Sequence, residues 1–388
     1  MNFTFLHPSW PYTTRALSII NLSLCVCLGG IVGEGWAEPT VPYAGFRQAE
    51  PGYRYAFPRD HGSHDEFQTE WWYYTGHLAT TSGHRYGFEL TFFRRAVDRP
   101  DVQSHPSAWA IKHLYLAHFA LSDLNGTRFR YREKISRAGV GKAGADTGTL
   151  HTWIDQWSID FPSPTSETHH LLASTPDMTL DLMASPRKPP VVHGREGISL
   201  KGTERGQASH YYSLTHLTAT GTLTIEGRAE SVQGQAWMDH EFGSGELPDG
   251  VRGWDWFSLQ LENQVELMVY FLRDQQGAPT AVSSGTVVLA DGTSQHLTRD
   301  DITIQVLDFW TSPKTQARYP HRWQLTIPSL QLSLAITPEL DDQELITTRS
   351  TDVTYWEGAV RSTGTWQAKP IIGLGYVELT GYAPRLKP

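Results

Sequence analysis

The sequence predicts an all-β protein of antiparallel barrels or sandwiches, and three observations carry that expectation. Apolar and polar side chains alternate through most of the chain, the pattern of strands with one buried face. Turn chemistry such as Thr81-Ser82-Gly83, Leu124-Asn125-Gly126, Gln276-Gly277 and Asp291-Gly292 interrupts the alternation at hairpin spacing. Helix-period segments are scarce and short, and neither a phosphate-cradling loop nor a GxGxxG turn opening a helix occurs, which sets aside α/β nucleotide-binding folds.

Residues 1–37 have the form of an export signal. Arg15 precedes an uncharged run from Ala16 to Gly33, and Gly35-Trp36-Ala37 offers small residues where a signal peptidase cuts. The run also approaches the length of a membrane span, so an uncleaved anchor is the alternative. Lipid attachment fits less well, because Leu24 before Cys25 and Val26 before Cys27 are not small. Both cysteines fall in this leader, so the mature chain would carry no thiol nucleophile or thiolate metal site, as suits an oxidising compartment where no disulfide is needed.

Residues 38–52 are rich in Pro and Gly and read as a linker, and the folded body begins near Tyr53. In HRYGFELTFF, His84, Tyr86, Phe88, Leu90 and Phe92 fall on one face, with Arg85, Glu89 and Thr91 on the other. The same alternation marks strands in HLYLAHFALSD, GTLTIEG, WDWFSLQL, ELMVYFL, GTVVLADG, WQLTIPSLQLSLAI and GYVELTGY. An internal echo divides the body: EWWYYTGHL leads through a hairpin to TFFRR, and GWDWFSLQL leads through a shorter one to YFLRD. Each unit opens on paired tryptophans and ends its second strand on aromatics and then Arg, directly in TFFRR and after Leu272 in YFLRD, which places a boundary near Gly245, between residues 53–245 and 246–388.

A chain of 388 residues has room for two such units with enclosed cores. Its formal charge of −9 and the absence of a basic run argue against nucleic acid, whose binding needs clustered Lys and Arg. Instead the chain is rich in aromatics, with 14 Trp, which suits a hydrophobic small-molecule or lipid partner and leaves peripheral membrane contact open.

Four knots place a carboxylate within a residue or two of an indole: Pro58 to Trp72, AWMDHEFG at 236–243, RGWDWFS at 252–258 and YWEGAV at 355–360. A carboxyl held against an aromatic face is desolvated, so its pKa rises and it keeps a proton, as a general acid must. The aromatic faces can stabilise the cation formed when an alkene is protonated. The alternative is structural: Glu70, Asp255 and Glu357 would pair with Arg94, Arg252 or Arg361 at strand ends. His61 and His64 with Asp60, His240 and Glu241 are of metal-ligating type, yet HGSH is not a recognised ligand spacing, so no metal and no cofactor are expected. Gly243-Ser244-Gly245 lacks the frame of a serine nucleophile elbow.

The stretch FPRDHGSHDEFQTEWWYYTGHL, followed in order by AWMDHEFG, GWDWFSLQL and YWEGAV, resembles the AttH-like/carotenoid 1,2-hydratase (hydroxyneurosporene synthase) family of exported lipocalin-like proteins, from about Phe57 to Tyr382. The resemblance implies two tandem lipocalin-like β-barrel domains and an exported, periplasmic or secreted protein. Carotenoid hydratases carry Asp-x-Asn-Trp-Gly followed by Trp-x-Trp. Here the matching positions are Asp239 to Gly243, with Glu241 and Phe242 replacing Asn and Trp, and Trp254-Asp255-Trp256. The EWWYYTG motif belongs to the AttH-like branch, whose members also include proteins called secreted hydrolases or attachment-related.

The expected activity is therefore cofactor-free acid catalysis, such as hydration of an isoprenoid-like substrate, or else lipid carriage without chemistry. Asp239 would protonate a double bond or position water, and Glu70 would be the second acid or base, with His240 and Glu241 beside them. Trp71, Trp72, Tyr74, Trp254, Trp256 and Tyr270 would line the cavity. Asp60, His61 and His64 would fix Glu70, and Glu70 and Asp239 would meet across the domain junction.

Overall fold

The computed structural model describes residues 45–245 and 247–383. The expected leader 1–37, with both cysteines, lies outside the described residues. Among those described, the chain forms a 13-stranded sheet and then a 10-stranded sheet, both antiparallel, which make one nearly closed barrel and one half-barrel. The chain leaves the first sheet at Gly243 and enters the second at Val251. Part of the segment expected as a linker packs on the first barrel: Ala49 is buried with Ile198 and Ala208.

In the first sheet the strand Thr69–Thr80 lies between Arg85–Ala96 and Arg228–Gly243, and Ala208–Ile225 follows beyond the latter. In the second, Val251–Leu261 lies between Glu266–Asp274 and Lys369–Thr380, with Thr354–Trp366 next. Alternation gives each sheet an inner face, and three apolar layers result. Phe88, Leu90 and Phe92 pack inside the first barrel with Trp157 and Leu180. Phe257, Leu259 and Leu325 pack inside the second with Trp323 and Trp356. A third layer, including Tyr73, Tyr211, Trp237, Trp256, Met268, Tyr270 and Tyr376, is the junction, where outward faces of the two sheets meet.

The internal echo has a physical basis. In each domain the Arg ending the second strand of the leading hairpin pairs with an acid near the start of the first: Arg94 Nε lies 3.0 Å from Glu70 Oε2, and Arg273 Nε lies 2.8 Å from Asp255 Oδ1. The partner of Asp255 is thus Arg273 and not Arg252.

Candidate functional site

Strand register decides which side chains meet. Residues directly opposite in an antiparallel pair share a face, and Glu70 stands opposite Phe242, Trp72 opposite His240 and Tyr73 opposite Asp239. Glu70, Trp72, Tyr74 and His240 therefore point into the first barrel, whereas Trp71, Tyr73, Asp239 and Glu241 point toward the second domain. This corrects the composite site expected from the sequence: a sheet separates Glu70 from Asp239, and two clusters form in place of one.

In the inner cluster, Glu70 accepts the backbone N–H of His64 at 2.9 Å and Arg94 Nε at 3.0 Å, while His64 Nδ1 and His240 Nε2 lie 2.7 and 2.8 Å from it. Arg94 is fully buried and also donates to the carbonyls of His64 and Phe67. The loop before the strand closes the network. Asp60 Oδ1 is 3.2 Å from His64 Nε2, and the Tyr212 hydroxyl lies between His61 Nδ1 at 2.7 Å and His240 Nδ1 at 3.0 Å. Burial opposes charge on Glu70, but Arg94 and His64 outweigh it and hold the carboxyl well below its ordinary range. Burial would likewise lower His64, yet Glu70 and Asp60 lift it to about 9.

His64, Glu70 and His240 offer atoms within 4.8 Å of one another, the donor set of a two-His-one-carboxylate metal centre. Local spacing could not reveal this set, because His240 lies 170 residues beyond Glu70. However, both Glu70 oxygens already take N–H donors, and a buried guanidinium sits on one of them. The donors fit a closed ionic network, which a divalent ion would have to break. Trp72 and Tyr74, expected to line a ligand cavity, are instead core residues of this barrel: Trp72 Nε1 donates to the His61 carbonyl, and the Tyr74 hydroxyl lies 2.7 Å from His169 Nδ1.

The outer cluster lies in the junction. Asp239 Oδ1 accepts Trp237 Nε1 at 2.6 Å and the Ser213 hydroxyl, and Oδ2 accepts the Tyr211 hydroxyl at 2.8 Å. Across the junction, Trp256 Nε1 donates to the Tyr211 oxygen at 3.1 Å. Burial pushes the Asp239 pKa up to about 7, although the bonds from Ser213, Trp237 and Tyr211 pull the other way, so the carboxyl holds a proton close to neutrality. Two residues along, Glu241 pairs with Lys201 Nζ at 2.6 Å and takes the Ser209 hydroxyl. Lys201 also lies over the Tyr270 and Tyr211 rings, at 4.9 and 5.7 Å.

A cleft of about 380 Å³ opens here, with Lys201, Pro248, Val251, Thr280 and Val282 among its walls. Val251 and Val282 also belong to the junction layer, so the cleft borders that layer beside Lys201. Trp71, Trp254, Trp256 and Tyr270 all contribute to that layer. The cleft itself is walled by polar and aliphatic residues, and these aromatic side chains belong to the packed layer behind it.

Sequence reasoning missed a further set of acids in the junction, reached through Tyr73, the cross-strand neighbour of Asp239. The Tyr73 hydroxyl donates to Glu357 at 2.7 Å and the Tyr355 hydroxyl to Glu89 at 3.2 Å, so each domain's tyrosine reaches the other domain's glutamate. Glu378 stands directly opposite Glu357 and accepts Trp254 Nε1 at 2.8 Å. Burial raises Glu89 to about 7, Glu378 to about 8 and Glu357 well above its ordinary value. The acid of YWEGAV was visible as a knot, but Glu89 looked like the solvent side of an alternating strand. Only the docked second domain covers it.

These raised values fix a sign. An acid whose folded pKa exceeds its unfolded one stabilises the fold below the unfolded value and loses that contribution as pH rises through the folded one. Glu89→Gln should therefore gain thermal midpoint relative to the parent as pH is raised from about 5 to about 8. Parallel midpoint curves across that window would contradict it.

The sequence matches the AttH-like family model over residues 48–382. No curated protein matches it in sequence. Among solved structures, an AttH protein of Nitrosomonas europaea is 35% identical with a TM-score of 0.78, the match covering 87% of this chain and 100% of that one. Kievitone hydratase from Nectria haematococca is 16% identical with a TM-score of 0.66 over 87% of this chain and 98% of that one. CghA with Sch210972 is 11% identical with a TM-score of 0.51 over 82% and 89%. The two distant structures speak to the fold alone.

Proposed function

The chain belongs to the AttH-like family, and from that premise we propose that it adds water, or performs a related proton-initiated reaction, at a double bond of an apolar, isoprenoid-like ligand held in the domain junction. The observation that carries this reading is Asp239: a buried carboxyl that retains its proton near neutrality, set among the indoles of Trp237 and Trp256. Asp239 would give its proton to an alkene carbon, the aromatic faces would stabilise the carbocation, and water would add to it. Tyr211 and Ser213 orient the carboxyl, and Lys201 with Glu241 fixes the polar end of the approach from the cleft. The leader would place the reaction outside the cytoplasm.

A second reading, an apolar-ligand carrier, is favoured by one feature: both Asp239 oxygens already hold hydrogen-bond partners. The two readings share the aromatic wall. Trp256→Ala should weaken apolar ligand binding by about 1.5–3 kcal/mol under either, through lost buried area, as titration with a fluorescent fatty-acid or polyene probe would register. Unchanged affinity would remove the junction as the binding site. Asp239→Asn tests the catalytic reading: it should end conversion of the bound alkene while the probe still binds.

A further inference from the structure

We propose that Ser213, His193 and Thr286 form a proton relay that joins Asp239 to the ring of His296 near the molecular surface. The relay rests on the reading of Asp239 as an acid and adds to it the route by which that acid is recharged. The Ser213 hydroxyl donates to Asp239 Oδ1 and on its other side lies 2.6 Å from His193 Nε2. His193 Nδ1 in turn lies 2.8 Å from the Thr286 hydroxyl. His193 follows the short strand Val191–Val192 of the first domain, and Thr286 lies in Ser284–Val288 of the second, so the chain crosses the junction. His296 stands directly opposite Thr286 in the register and shares its face. The His296 ring is partly exposed, and its Nδ1 is buried with no hydrogen-bond partner among the described residues.

Each member can both donate and accept a proton, and an imidazole does so at two separate atoms. When Asp239 gives its proton to a ligand carbon, the carboxylate takes one from Ser213. Ser213 is refilled from His193 Nε2 and His193 at Nδ1 from Thr286; His296 Nδ1 makes no hydrogen bond to Thr286, so a water between the two would refill Thr286 and draw its proton from His296, which recovers its own from bulk water. One bond to hydrogen forms as each breaks. Burial lowers His193 to about 3, with Lys201 and His296 adding to the effect, so the ring stays neutral and passes protons by exchanging tautomers. Packing alone does not call for this arrangement: Ser213, His193 and Thr286 are 0%, 1% and 2% exposed, and apolar residues of similar shape would fill that space without polar atoms to satisfy.

Infrared spectroscopy of the full chain tests the relay without a substrate. The carboxyl band of protonated Asp239 is the one that disappears in Asp239→Asn, and its shift after transfer into heavy water reports how fast the buried proton exchanges. Thr286→Val keeps the shape but cuts the chain, and His296→Gln removes its outer end at a site where little packing is lost. Both should slow that exchange by about tenfold or more; Thr286→Val, which leaves buried His193 Nδ1 unpaired, should also lower the thermal midpoint, whereas His296→Gln should leave it nearly unchanged. Exchange as fast as in the parent in both variants would overturn the relay while leaving Asp239 an acid. Absence of the Asp239 band near neutral pH would remove the acid and the relay together.

Discussion

Glu70→Ala should destabilise the protein by about 3–5 kcal/mol, the cost of breaking a buried ion pair from one side. The loss leaves the unexposed Arg94 guanidinium with only the more distant Asp65 carboxylate, at 3.9 Å, and it strips His64 and His240 of their common partner. Glu70→Gln should cost less, since an amide oxygen can still accept from Arg94 Nε. The pH dependence runs opposite to that of the junction acids. A carboxyl held low by Arg94 and His64 contributes stability above its unfolded value, and that contribution fades as pH falls through the folded one. Urea unfolding of both variants is the check, and a loss below about 1 kcal/mol in Glu70→Ala would mean that the network carries no more than a surface pair.

The second large effect is on chemistry. Asp239→Asn keeps the shape of the side chain and one acceptor oxygen, which can still take Trp237 Nε1 and the Ser213 hydroxyl while its NH2 donates to the Tyr211 oxygen, but it has no acidic proton to give. Turnover of an alkene ligand should fall by about a hundredfold to ten-thousandfold, the usual contribution of a positioned general acid. Folding should change little below about pH 6, where the parent carboxyl, with its pKa pushed up to about 7, is itself mostly protonated. Activity should decline as pH rises through that value, since ionisation removes the donor. Glu241→Gln is the contrasting variant: it strands Lys201 without a counter-charge, so its main effect should be on stability and on the cleft.

The sequence displayed some of this more clearly than the rest. Alternation made the strands and the aromatic inner face of HRYGFELTFF legible, and the repeated tryptophan-to-arginine pattern announced the two leading hairpins. It also displayed Asp239 as an acid beside indoles, and the histidines near Glu70. What it could not display was parity. Whether Glu70 shares a face with Asp239 or with His240 depends on how Thr69–Thr80 registers against Arg228–Gly243, and a slip of one residue would exchange the two answers. That register is set by every strand and turn between them. Glu89 shows the same limit from another side: its strand looked half-solvated, and only the docking of two outward faces makes it a buried acid. The relay residues were invisible for a related reason, since His193 and Thr286 meet across domains and neither lies in a motif.

Asp239 as a proton donor in an apolar-ligand site is tested most directly by mass spectrometry of molecules extracted from the full-length protein. Parent protein and Asp239→Asn would be produced side by side, and their bound apolar molecules extracted before and after long incubation. The account predicts that the variant retains an alkene, whereas the parent holds the same molecule with one water added or its double bond rearranged. An identical, unaltered ligand in both proteins after incubation would contradict it and make the junction a carrier's pocket.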